Sequence, residues 1–356
     1  MDTYNIYKDI NARTQGEIYI GVVGPVRSGK STFIKHFAEK LILPFMSDGA
    51  GKERTKDELP QSAAGRTVMT TEPKFIPREA CVINPAQDIS MKIRLIDCVG
   101  FMIDGATGVV EDGKERLVKT PWYDYEIPFS EAAEFGTRKV IKDHSTVGIV
   151  MTTDGSIGEL PRDSYKAAEA ATIEELKKIG KPFVVVVNSK NPAAKSAAEC
   201  VDEIKKAYGA EAVSLDCEQL TLDDVNRTLE LLLNSFPING IEFYFDRWIE
   251  TLPDDNEIKQ AMVECAGQIL DRITYIKDFN KDSIKVENKY IEDVRSEPVD
   301  MADGIIRLSF KVDENLYYDM LSSIAGERID NEYGLINLIK EYAKEKSALS
   351  RYTSAI

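Results

Sequence analysis

Apolar positions follow two alternating periods along residues 17–236. Glu17-Ile18-Tyr19-Ile20-Gly21-Val22-Val23 is β-branched and apolar, the pattern of a buried strand. Thr32 to Phe37 then continues as the first turns of a helix. Strands are predicted at Lys74-Phe75-Ile76, Met91–Asp97, Thr146–Met151, Phe183–Val187 and Ala212–Leu215, and helices over 130–143, 162–179, about 195–208 and about 222–234. The unbroken run Phe183-Val184-Val185-Val186-Val187 marks a strand buried on both faces. Strand and helix alternating in this way imply a parallel-rich sheet with helices on both sides, an α/β fold.

Phe236-Pro237-Ile238-Asn239-Gly240 interrupts the alternation. Beyond it the pattern predicts one long helix over 256–277, two strands between Lys289 and Val312 around Asp303-Gly304, and helices at 314–325 and 333–347. The expected organisation is therefore an α/β domain over 1–237 and a smaller α+β domain over 238–356. The second region carries about −9 of the net charge of −15 and shows no catalytic constellation, so its carboxylates read as a solvated face.

Between the first strand and its helix lies Gly24-Pro25-Val26-Arg27-Ser28-Gly29-Lys30-Ser31, followed by Thr32. Strand, glycine loop and helix in this order turn G-x-x-x-x-G-K-S into a phosphate site. The glycines let backbone N–H groups and the helix N-terminus face an anion. Gly24, Pro25, Val26, Arg27, Ser28, Gly29, Lys30, Ser31 and Thr32 are thus the expected nucleotide-contacting residues. The Lys30 ammonium can reach the β- and γ-phosphates, and the Ser31 hydroxyl can ligate Mg²⁺. Asp97-Cys98-Val99-Gly100 supplies, at the end of a second strand, a carboxylate to hold Mg²⁺ and a Gly100 N–H for the γ-phosphate. Between the two motifs, Thr70 and Thr71 adjoin the strand that begins at Lys74 and suit a switch segment that senses metal and γ-phosphate.

Two departures from the usual guanine-nucleotide switch narrow the chemistry. The position after Asp97-x-x-Gly100 holds Phe101, not the Gln that orients an attacking water. After the buried strand comes Asn188-Ser189-Lys190-Asn191, where a guanine-reading loop would carry Asn-Lys-x-Asp. Asn188 is kept as a nucleotide contact, but Asn191 supplies no carboxylate for the guanine protons, which favours ATP over GTP. Arg27 can touch phosphate, reach a neighbouring subunit, or simply be solvated; the sequence leaves these open.

Composition removes several classes. A net charge of −15 argues against a nucleic-acid-binding protein. The two histidines, His36 and His144, are too few for a zinc site or a Ser-His-Asp triad. Five scattered cysteines without a C-x-x-C pair read as small buried residues in a reducing compartment. No signal-peptide core and no apolar run near ~20 residues is present, which points to a cytosolic chain.

The residues at 24–32, Asp57-Glu58-Leu59-Pro60-Gln61-Ser62-Ala63-Ala64-Gly65, Met69-Thr70-Thr71-Glu72-Pro73-Lys74-Phe75 and Thr152-Thr153-Asp154-Gly155-Ser156-Ile157-Gly158 resemble the stage IV sporulation protein A family of endospore-forming bacteria. So do Thr120-Pro121-Trp122-Tyr123, Glu131-Ala132-Ala133-Glu134, Gly136–Ile141 and Gly180-Lys181-Pro182-Phe183. The likeness is specific over roughly 1–237 and looser beyond. It implies a P-loop NTPase of the translation-factor-related type that hydrolyses ATP with Mg²⁺ to drive its own polymerisation. The polymer would be the basement layer of the spore coat on the outer forespore membrane, in the mother-cell cytoplasm. Its implied partners are further copies of itself, a small amphipathic membrane-anchor peptide (sporulation protein VM), and other coat and cortex morphogenetic proteins. By motif, Lys30 is the phosphate-loop lysine, Ser31, Thr71 and Asp97 hold the metal, and Thr70 and Thr71 are sensor threonines. The family is longer at its C-terminus, so the chain reads as a version without the last domain. Two other readings share these motifs: a GTPase switch, and a structural coat protein whose nucleotide site is dispensable.

Overall fold

A computed structural model describes residues 3–60, 72–86, 89–103, 110–111 and 114–353. The chain divides into two compact units. The first comprises Met1–Pro237 with Tyr275–Lys277 and Asp300–Gly304; the second comprises the remainder of 238–356.

The first unit begins with helix α1 (Thr3–Arg13), strand β1 (Glu17–Val23), helix α2 (Lys30–Phe37) and helix α3 (Ala50–Glu58). Strands β2 (Lys74–Ala86) and β3 (Ile89–Asp97) follow. Two antiparallel ribbons come next, β4 (Val110–Glu111) with β5 (Lys114–Glu115) and β6 (Leu117–Thr120) with β7 (Tyr123–Pro128). Then helix α4 (Phe129–Lys139), β8 (Val147–Thr153), α5 (Asp163–Ile179), β9 (Phe183–Asn188), α6 (Lys195–Tyr208), β10 (Ala212–Leu215) and α7 (Leu222–Asn234) complete the alternation.

Six of these strands form one sheet in the order β10-β9-β8-β1-β3-β2, parallel except for β2, which runs antiparallel to β3. From β1 the chain passes to the edge strand β2 and returns through β3 beside β1, then continues to β8, β9 and β10 on the other side. The order therefore reverses at β1, and the crevice beyond its C-terminal end is where such sheets bind ligands. Register aligns the strand ends there. Asp97 pairs with Val22, Val23 with Val150, and Asn188 with both Thr153 and Leu215.

The sheet is covered on both faces, as parallel sheets require. On one face Val23, Ile96, Val140, Ile173, Leu176, Val185, Val187 and Ile204 form a continuous core beneath α5, α6 and the helical segment Val140–His144. On the other, α1, α2 and α7 pack, with the Tyr7 hydroxyl of α1 donating to Asn226 Oδ1 of α7 at 2.6 Å. Every residue of β8 and β9 is buried, as the unbroken apolar runs require. Four of the five cysteines are buried and all five are free thiols. Among the described residues no helix is long and apolar enough to cross a membrane, and no three His, Cys, Asp or Glu side chains gather as a metal-holding group.

The second unit holds β11 (Gly240–Tyr244), α8 (Arg247–Glu250), α9 (Glu257–Leu270), β12 (Ile291–Ser296), β13 (Ile305–Val312), α10 (Glu314–Ala325) and α11 (Glu332–Thr353). Its three-stranded sheet runs β11-β13-β12, with β11 parallel and β12 antiparallel to β13. Ile249, Met262, Ile269, Ile306, Leu308 and Phe310 centre its core. The single helix expected over 256–277 is corrected here: α9 stops at Leu270. Backbone groups further on are spent on pairing instead, Ile238 N–H donating to Thr274 O and Ile276 N–H to Phe236 O, both at 3.0 Å. Nor is the surface only carboxylates. Ile324, Tyr333, Ile336, Ile339 and Tyr342 are also exposed.

One buried ion pair clamps the first unit. The Arg162 guanidinium forks onto Glu169, with contacts of 2.5 and 2.8 Å, and donates to Thr152 Oγ1 at 3.0 Å. Glu169 is 1% exposed. Burial opposes the guanidinium charge, but the hydrogen bonds and charge of Glu169 prevail and raise its pKa. Glu169→Ala leaves that cation buried without its partner and is expected to destabilise the fold by about 3–5 kcal/mol. Replacing both residues by leucine is expected to recover most of the loss. The midpoint of urea unfolding measures both effects.

Candidate nucleotide site

The phosphate loop runs from Gly24 to Gly29 between β1 and α2, at the reversal point of the sheet. Its backbone is tied to the next motif. Pro25 bridges Phe101 in parallel fashion, and Val26 N–H donates to Phe101 O at 3.0 Å. Phe101 buries its side chain with Val26, Ile103, Tyr165 and Ala168. It thus anchors the loop, and it offers no polar group to an attacking water.

Asn188 makes the second tie. Its Nδ2 donates to Ser28 O at 3.2 Å, and its Oδ1 accepts from Cys217 N–H at 3.2 Å. One buried amide thus joins the ends of β9 and β10 to the phosphate loop. Gly29, with φ of 93°, allows this approach: a Cβ there would lie 2.1 Å from Asn188 Nδ2. Ser28 closes the loop on itself, donating from Oγ to Pro25 O at 2.9 Å.

Lys30 opens α2 and is 6% exposed. Its ammonium donates to Pro25 O at 2.6 Å and to Gly24 O at 3.4 Å, lying along the loop that it serves. Burial lowers its pKa, opposed by Cys98 and Asp97. Ser31 and Thr32 follow in the first helical turn, whose N–H groups lack helical partners and suit an anion. Ser31 Oγ donates to Asp97 Oδ2 at 2.9 Å. Asp97 Oδ1 is buried and, among the described residues, has no hydrogen-bond partner. Desolvation raises the Asp97 pKa, against the charge of Lys30 and the Ser31 hydroxyl. A hydroxyl beside a carboxylate with an unsatisfied oxygen fits a hard cation of the Mg²⁺ type, which takes oxygen ligands.

Gly100, with φ of 96°, completes the floor. A Cβ there would sit 2.0 Å from Gly24 O and 2.7 Å from Lys30 Nζ, so no other residue fits. Its N–H faces the Cys98 sulfur. The Cys98 thiol is itself pushed up to about 11 by burial. Arg27 adopts a left-handed φ of 63°, rare for a residue bearing a side chain. Its charge is felt by Tyr165, whose pKa burial otherwise raises.

The structure therefore brings together Gly24 to Thr32, Asp97, Gly100 and Asn188. Thr70 and Thr71 lie outside the described residues. Sequence reasoning missed Asp154 at the end of β8. Its Oδ2 accepts from Ser189 Oγ at 2.7 Å, joining the segment after β8 to that after β9. The turn-forming run Asp154-Gly155-Ser156 directly after a fully buried strand was the available signal. Asn191 donates its backbone N–H to Ser189 Oγ at 3.2 Å, and its carbonyl accepts from Ala194 N–H at 2.9 Å.

Residues 1–237 match the family model described as stage IV sporulation protein A, ATPase domain, and residues 238–356 match its middle domain. A stage IV sporulation protein A of Clostridioides difficile (strain 630) is 40% identical over 354 residues, which are 99% of this chain and 72% of the relative. The Bacillus subtilis (strain 168) protein of the same name is 37% identical over 357 residues, covering 100% of this chain and 73% of the relative. The crystal structure of an SsGBP and GDP complex overlaps 65% of this chain and 55% of that one at a TM-score of 0.35 and 14% identity, too slight a likeness to bear on fold or function. A matched family model across both units and relatives of this identity over the full chain place it: the chain belongs to the stage IV sporulation protein A family.

Proposed function

We propose that residues 1–237 form an ATPase domain that binds ATP with Mg²⁺ and hydrolyses it, and that residues 238–356 form an accompanying middle domain. The observation that carries this reading is the convergence of Lys30, Ser31 and Asp97 at the C-terminal end of β1, with Asp97 Oδ1 unsatisfied among the described residues. Lys30 and the first-turn N–H groups of α2 bind the β- and γ-phosphates, and Ser31 and Asp97 hold the metal. When bound, the metal would supply positive charge to offset the negative charge spreading over the phosphate oxygens. Water adds to the γ-phosphorus as its bond to the bridging oxygen breaks, yielding ADP and phosphate. Thr70 and Thr71 are assigned the sensing of metal and γ-phosphate. ATP is favoured over GTP because Asn191 brings no carboxylate for the guanine protons.

Phe101 makes intrinsic turnover slow, since its buried ring cannot orient water. A slow hydrolase suits a switch for assembly better than a metabolic enzyme. The family resemblance supports hydrolysis that drives self-assembly into the basement layer of the spore coat at the outer forespore membrane, in the mother-cell cytoplasm. Further copies of the chain, the small amphipathic peptide sporulation protein VM and other coat and cortex morphogenetic proteins are the proposed partners.

Competition binding in Mg²⁺ is expected to show ATP displacing a fluorescent nucleotide at lower concentration than GTP; a GTP preference overturns the base assignment. Lys30→Ala is expected to cut ATP hydrolysis about a hundredfold or more. If this variant folds and assembles normally without ATP, the nucleotide site is structural. Coupling to assembly predicts that the hydrolysis rate per subunit rises with protein concentration. A rate that is flat across the range counts against it.

A further inference from the structure

The segments following β8 and β9 are locked together by one carboxylate. Asp154 Oδ1 accepts from Ser156 N–H at 2.9 Å and from Ser156 Oγ at 2.5 Å, while Oδ2 accepts from Ser189 Oγ at 2.7 Å. Both hydroxyl protons are thus committed to Asp154. That leaves both hydroxyl oxygens to accept backbone N–H groups of the next segment: Lys190 N–H donates to Ser156 Oγ at 3.0 Å and Asn191 N–H to Ser189 Oγ at 3.2 Å. An acceptor-only group at 154 fixes the direction of every hydrogen bond in the ring. Burial works against the Asp154 charge, and the donors of Ser156 and Ser189 prevail, holding its pKa below the usual range.

This ring adjoins the phosphate loop. Asn188, the residue before Ser189, donates to Ser28 O. With β3 and Asp97 on one side of the loop, the ends of β8, β9 and β10 lie on the other, along the crevice where such sheets bind ligands. A nucleotide whose phosphates lie against residues 24–31 has those strand ends available for its nucleoside part.

We infer that Asp154 is a positioning residue for the nucleoside: by orienting Ser156 and Ser189 it sets the backbone of 189–191 against the base and thereby sets affinity for the base-bearing ligand without touching the phosphates. This rests on the nucleotide-binding reading above and deepens it. Asp154 acts through the two serines, and the phosphate grip stays with Lys30.

Affinities of ATP and of inorganic tripolyphosphate, both with Mg²⁺, separate the two roles, because tripolyphosphate lacks a base. The unaltered protein is expected to bind ATP more tightly than tripolyphosphate. Asp154→Ala is expected to weaken ATP about tenfold or more while leaving tripolyphosphate within twofold. Ser189→Ala is expected to act in the same sense, and the double variant to be little worse than Asp154→Ala, as for members of one network. Should Asp154→Ala fail to fold, Asp154→Asn, which keeps the size and one acceptor, is read in its place with the same split between the two ligands. Equal weakening of both ligands, or of neither, overturns the inference while the nucleotide reading stands. No preference for ATP in the unaltered protein overturns the nucleotide reading itself, and this inference with it.

Discussion

The parallel pairing of β1 on both of its sides is the constraint on which the nucleotide-binding unit depends. A central strand resists sliding, because a one-residue slip would exchange the side chains packed on its two covered faces. Ile18, Ile20 and Val22 alternate with Tyr19, Gly21 and Val23, and β3 and β8 hold that register from either side. The loop after Val23 therefore starts at a fixed height, and Asp97 ends its strand level with Val22. The 2.9 Å contact between Ser31 and Asp97 follows from strand register more than from any property of the two side chains alone.

Around that fixed point, buried and half-buried polar groups add to the apolar packing, and each is specified by what it must satisfy. Asn188 bonds a carbonyl and an N–H from two different loops. Asp154 binds two hydroxyls, and Arg162 meets Glu169 and Thr152. Such groups are costly when unpaired, so they tolerate few alternative arrangements. The rim of the crevice is accordingly built for position as much as for stability. Phe101 carries the same logic into apolar chemistry, with its ring in the core and its carbonyl on the phosphate loop.

Much of this was legible in the sequence because period and punctuation agreed there. β1, α6, β10 and α7 lie where the pattern places them: each apolar run ends at a glycine, a polar cluster or a capping residue such as Thr221, whose side chain caps α7 by accepting from Asp224 N–H. The second unit was less legible. β11 is five residues with only partial burial, next to the break at Phe236–Gly240, so its alternation is too short to register. Beyond Leu270 apolar residues recur at Ile273 and Ile276, yet their backbone belongs to a turn held by long-range hydrogen bonds, which no local period encodes. The phosphate loop and Asp97 were readable from local motifs. Asp154 was signalled only as a turn after a buried strand, and its pairing with Ser189, thirty-five positions away, was not.

Electrostatics finally ties the grip to its ligand. Burial pushes Lys30 and Asp97 in opposite directions, the amine down and the carboxyl up, so both are drawn towards neutrality. Their mutual attraction offsets only part of that cost, since Lys30 also leans on neutral loop carbonyls. A polyanion beside Lys30 and a divalent cation beside Asp97 supply the charges that each lacks, and both groups are then favoured in their ionised forms. On the proposed nucleotide reading, triphosphate and metal would favour the same charge state of the site, and each would then improve the binding of the other by thermodynamic reciprocity. A site of this kind would favour the metal–nucleotide pair over either component alone, and the inferred role of the strand ends on the far side of the loop is to tell that pair from a bare metal–polyphosphate.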